Sequence, residues 1–149
     1  MYAFVDQPVA SLCNSGRFLL WAMRGWNHAA GRATCPPLLL RQGFARTGAL
    51  PALEDFHNAM ALLERDAREP LDFAPVGEAS IREDEAVLIS LWRGLTVDGL
   101  DTVCATLALL VDEEGVAPLL FAMSQASARL AAVGFDLSGL TTLTEKEVK

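Results

Sequence analysis

Histidine is nearly absent from this 149-residue chain, with two copies, and lysine also has only two against ten arginines. The three cysteines, Cys13, Cys35 and Cys104, are an odd and widely spaced set with no C-x-x-C. Neither a disulfide framework nor a zinc ribbon can be built from them, and the natural expectation is a reduced, cytoplasmic compartment. No glycine-rich phosphate loop, dinucleotide fingerprint or nucleophile elbow is present. No apolar run reaches the length needed to cross a bilayer, so no membrane contact is expected. The opening MYAFVDQPVASL has no basic residue before its apolar positions, which does not fit a secretory signal.

What is present is apolar and unevenly charged. Hydrophobic residues make up 52% of the chain and the net charge is −7, the balance of an ordinary globular protein. A chain of this length buries roughly 68–70% of its unfolded surface, enough for a core without metal or disulfide staples. One domain over 1–149 is expected. Residues 1–50 hold five arginines against one aspartate, whereas the remainder carries a net −11. A basic first third on an acidic body can orient a partner or a second copy of the chain. The alternative is that these arginines pair with carboxylates of the same fold. The acidic total disfavours nucleic acid, which demands a positive field.

The periodicity is helical throughout. RFLLWAMRGW, Arg17–Trp26, contains six consecutive apolar residues from Phe18 to Met23. A helix greasy on nearly every side belongs in the middle of a fold. It should be capped by Asn14 or Ser15 and stop at about Gly31. Pro36-Pro37 opens a short second helix that ends near Thr47, with Gly48 as its stop. Leu53, Phe56, Met60, Leu63 and Ala67 recur at steps of three and four, marking a third. Arg68–Ala79, with Pro70, Pro75 and Gly77, reads as the longest connection, held down by Leu71 and Phe73 or used functionally. Ser80 and Glu83 match a capping box for a fourth helix that buries Leu88, Leu91, Trp92 and Leu95. A fifth spans Asp98 or Gly99 to Val111, with Leu100, Val103, Cys104 and Leu107 inward. A turn at Asp112–Gly115 leads into a sixth, Val116–Val133, stopped by Gly134. Residues 135–149 read as a partly docked segment with a frayed end. The expected class is all-α: a single compact bundle of about six helices around an apolar central first helix.

Candidate chemistry is sparse. Glu54-x-x-His57 has the spacing of one half of a di-iron motif, but the second half fails because Gly25 stands three residues before His28. No metal, no other cofactor and no catalytic residue is therefore assigned. His57 is expected to be partly buried and bonded to Glu54 or a loop carbonyl. Cys13 at a helix start could have thiolate character, but a nucleophile also needs a base. Arg17, Arg24, Arg32, Arg41 and Arg46 suggest a helix-turn-helix only loosely, since Glu54 and Asp55 would repel phosphates.

RFLLWAMRGW followed by LDFAPVGEASIREDEAVLISLW is similar to segments of a group of small all-helical alphaproteobacterial proteins of unknown function. The likeness covers residues 15–130. The resemblance implies a cytoplasmic helical domain without known activity. That group often has adjacent cysteines where this chain has Ala74-Pro75-Val76-Gly77.

The expectation is a protein acting through contacts with another protein or with itself, as regulator, adaptor or homodimer. Tryptophan and arginine dominate binding hot spots, which points to Trp26 with Arg24 and Arg17. A different class of function is a binder of a small apolar ligand between helices, lined by Trp21, Met23, Phe56, Met60 and Met123. A third is an enzyme using His57 with Glu54 or Cys13.

Overall fold

The computed structural model describes residues 6–97, 99–135 and 137. Six α-helices account for most of them: α1 Asn14–Gly31, α2 Pro36–Arg46, α3 Leu53–Asp66, α4 Glu83–Val97, α5 Leu100–Leu110 and α6 Glu113–Ala132. Short 3-10 turns precede α1 (Val9–Ser11) and α3 (Leu50–Ala52). There is no extended strand among the described residues; isolated bridges pair Pro8 with Ser80 and Ala67 with Val111. The protein is an all-α bundle.

Helix α1 packs against α2, α3 and α4. Leu19, Leu20, Ala22, Met23, Trp26 and Ala29 are buried along it. Each large side chain among them stabilises the fold by about 1.5–3 kcal/mol relative to exposure. The opposite wall pairs α3 with α6, where Phe56, Met60 and Leu63 meet the layer holding Leu119, Met123 and Leu130. Aromatic rings join the two walls: Phe18 contacts Phe44, Phe44 contacts Phe56, and Phe56 stacks on Trp92 at 6.0 Å. Trp21 lies directly over Gly43, so α1 and α2 approach where any side chain at 43 would strike the indole.

Three helices end in the same way. In α2, Gly48 takes φ +77 while Ala49 N–H donates to the Phe44 carbonyl at 2.8 Å. In α6, Gly134 takes φ +97 and Phe135 N–H donates to Leu130 at 2.8 Å. Both glycine stops expected from the sequence are in place. For α1 the expectation is corrected. Gly31 is the last helical residue, and Ala33, at φ 56, takes the left-handed position while Thr34 N–H donates to Ala29.

The capping box is corrected as well. Helix α4 begins at Glu83, two residues after the start that a Ser80 cap implies, and Glu85 is the residue that reaches back, accepting from Arg82 N–H at 2.9 Å. Helix α6 starts three residues earlier than expected, with Asp112 as its cap and Pro118 inside it. Leu100, expected inward, is 59% exposed in the first turn of α5. Of the 135–149 segment, Phe135 stacks on Phe18 at 4.7 Å and Leu137 is buried. Residues 138–149 lie outside the described residues.

Candidate functional site

Residues 68–82 form a strap without helix that crosses the bundle between α3 and α4. Its first end is tied to α5, with Arg68 N–H donating to the Leu110 carbonyl at 2.8 Å. Its far end pairs with the opening of the chain: Val9 N–H donates to Ala79, and Ile81 N–H to Gln7. Leu71 and Phe73 are half-buried and Ala74 is buried, so the strap is packed down.

A buried ion pair holds the middle of the strap. Arg24 Nε and Nη2 meet the two oxygens of Glu85 at 2.7 and 2.9 Å, a bidentate fork. The rest of the guanidinium donates to strap carbonyls: Nη2 to Ser80 at 2.9 Å, Nη1 to Glu78 at 2.8 Å and to Val76 at 3.5 Å. Glu85 in turn accepts from Ala74 N–H at 3.0 Å and from Arg82 N–H at 2.9 Å. Every donor of Arg24 and both oxygens of Glu85 are thus engaged, which is what charges at 1% and 0% side-chain exposure require. At the surface Arg82 Nη1 bonds Asp72 Oδ1 at 2.8 Å, and Asp72 N–H donates to Asp84 at 2.6 Å.

The site expected from the sequence is therefore corrected. Arg24 is 2% exposed and Trp26 is 4% exposed, so neither side chain offers a surface to a partner. Arg24 was drawn inward because it has a carboxylate and three carbonyls to satisfy it there. Arg17 is exposed and bonds Asn14 Oδ1 at 3.1 Å, one turn back on its own helix. The three residues do not form one patch.

Trp26 has a second partner. Its indole Nε1–H donates to His57 Nδ1 at 2.9 Å, which leaves the imidazole proton on Nε2. Burial pushes the His57 pKa down, because the charged ring loses hydration. The expected bond to Glu54 or a loop carbonyl is replaced by this one. Neither residue type nor spacing in the sequence signals it, since the two lie on different helices.

Beside this pair is a cleft of about 150 Å³, between the end of α1 (Trp26, Asn27), the end of α3 (Met60, Leu63, Glu64) and the strap (Pro70, Leu71, Phe73). It differs from the pocket expected from the sequence. Met23, Phe56 and Met123 are closed into the core, and only Met60 is shared. Among the described residues no three His, Cys, Asp or Glu side chains are grouped to hold a metal ion. No helix among them is long and apolar enough to cross a membrane.

The outside of α2 carries two neighbouring exposed leucines. Leu38 is 70% exposed and Leu39 is 48% exposed, while Leu40 and Phe44 carry the buried side. Arg41 and Arg46 share the outer surface, and Arg32 caps α1 just before α2 begins. Among the described residues none of these three arginines makes an ion pair. Comparison of the chain with protein-family models, curated proteins and solved structures finds no match.

Proposed function

We propose that this protein works through contacts with another protein, and that the outer face of α2 is its docking surface. One observation carries the reading: two adjacent leucines stand in solvent between arginines that, among the described residues, make no ion pair with a carboxylate. Exposed leucines keep apolar surface in water at a cost of about 25 cal/mol per Å², which a partner would remove. Arginines around an apolar centre supply the forked donors that interfaces favour. The complementary partner presents an apolar segment flanked by carboxylates. A basic first third that orients a partner is retained from the sequence, but Arg32, Arg41 and Arg46 supply the charge in place of Arg24.

Affinity capture from a native lysate, run beside light scattering of the purified chain, tests this. Wild type is expected to retain a partner whose binding weakens with salt, and Leu38→Asp or Arg41→Glu to release it, while Arg17→Glu retains it. If the same substitutions dissociate a dimer, the partner is a second copy. Identical capture by wild type and Leu38→Asp, with no dimer in either, would remove the proposal.

A further inference from the structure

The cleft behind the strap has the chemistry of a small ligand site, separate from the α2 surface. Its volume of about 150 Å³ is close to that of an apolar cavity able to take benzene, and too small for a nucleotide or a flavin. Two aromatic side chains, Trp26 and Phe73, and the thioether of Met60 line it. Trp26 is held in place by its bond to His57, so this wall exists before any ligand arrives.

The electrostatics of the cleft favour one sign of charge. Glu64 lies on its lining and makes no ion pair among the described residues. Leu63 and Glu64 belong to the last turn of α3, which ends at Asp66, and Trp26 and Asn27 come from the C-terminal part of α1. Helix C-termini carry the negative end of the macrodipole, so the end of α3 adds to the carboxylate. The nearby guanidinium of Arg65 is engaged by Asp66 at 2.9 Å. Aromatic faces attract cations as well.

We infer that this cleft binds a small organic cation: an ammonium group attached to one aromatic ring or a branched apolar body. The ring or branch occupies the space between Trp26, Met60 and Phe73, and the ammonium lies toward Glu64.

Benzylamine, protonated at neutral pH, and its neutral isostere benzyl alcohol are suitable probes. Calorimetric titration of the full chain should show the cation binding about tenfold more tightly than the alcohol. Glu64→Gln should bring the two to parity by weakening only the cation. Ala67→Phe, which fills the cleft, should abolish both. Should that variant fail to fold, the wild-type chain still decides: benzylamine must shift the Trp26 indole N–H resonance ahead of those of Trp21 and Trp92. Failure of wild type to bind benzylamine at millimolar concentration would overturn the inference. So would equal affinities for the two probes, or shifts confined to other tryptophans. None of these results bears on the α2 surface, so the two readings can fail independently.

Discussion

Arg24 and Arg41 come from the same basic third of the chain and end in opposite circumstances. Arg24 is enclosed, with a carboxylate on one side of its guanidinium and three strap carbonyls on the other. Arg41 stands in solvent on α2 beside exposed leucines, with no ion pair among the described residues. The contrast shows that a cluster of arginines in sequence is not one feature. One member has become internal scaffolding that shapes a strap; Arg32, Arg41 and Arg46 remain exposed at the surface. Charge in the first region is satisfied by the fold, and in the second no described carboxylate pairs with it.

Breaking the buried pair should have the largest effect. Arg24→Ala leaves Glu85 charged and without its main partner, a loss of about 3–5 kcal/mol in chemical denaturation. Hydrogen exchange should quicken at the Ala74 and Arg82 amides, which Glu85 holds. Replacing both members, by Arg24→Met with Glu85→Leu, should cost less than Arg24→Ala alone, because no orphan charge remains.

Trp26→Phe comes next. It removes the donor to His57 and part of a buried ring, and should cost about 1–3 kcal/mol by the same measurement. The histidine also predicts a pH dependence. Its folded pKa lies below the ordinary value of about 6.5, so the folded state binds fewer protons than the unfolded one. Its contribution is then complete above that unfolded value and is lost as the pH falls through it, down toward the folded value. Denaturation midpoints should fall on acidification from neutral, and His57→Gln should flatten that part of the profile.

The smallest stability effect is expected on α2. Leu38→Asp and Arg41→Glu should leave the denaturation midpoint nearly unchanged, within about 0.5 kcal/mol, because neither contact is internal. A large loss from either would mean that α2 faces inward, and the contrast with Arg24 would collapse.

Much of the fold was legible in the sequence, because amphipathic spacing records which side of a helix is buried. The stripe of Leu53, Phe56, Met60 and Leu63 is buried as its spacing implies. The fourth helix was placed two residues off at its start, since ASIREDEA offers carboxylates at more than one register. Glu83 matches Ser80, but Glu85 is the one with a backbone amide to accept from. That arginines of the first third pair with carboxylates of the fold was legible as an alternative, and Arg24 bears it out, but which arginine does so, and with what, was not. The carboxylate partner of Arg24 is 61 residues away, and its other acceptors are carbonyls of a connection with no periodic signal. The exposure of Leu38 was hidden too: three consecutive leucines in α2 reveal nothing about which one turns inward until Leu40 and Phe44 are seen to be buried.

The most direct measurement of the central claim is site-specific photocrosslinking in cells. A benzophenone residue introduced in place of Gln42, which is exposed on α2, should yield a discrete protein adduct. The same residue in place of Glu83, exposed on α4, should yield none. Adding Leu38→Asp should remove the adduct at unchanged protein level. No adduct at position 42, or one that survives Leu38→Asp, would contradict the account.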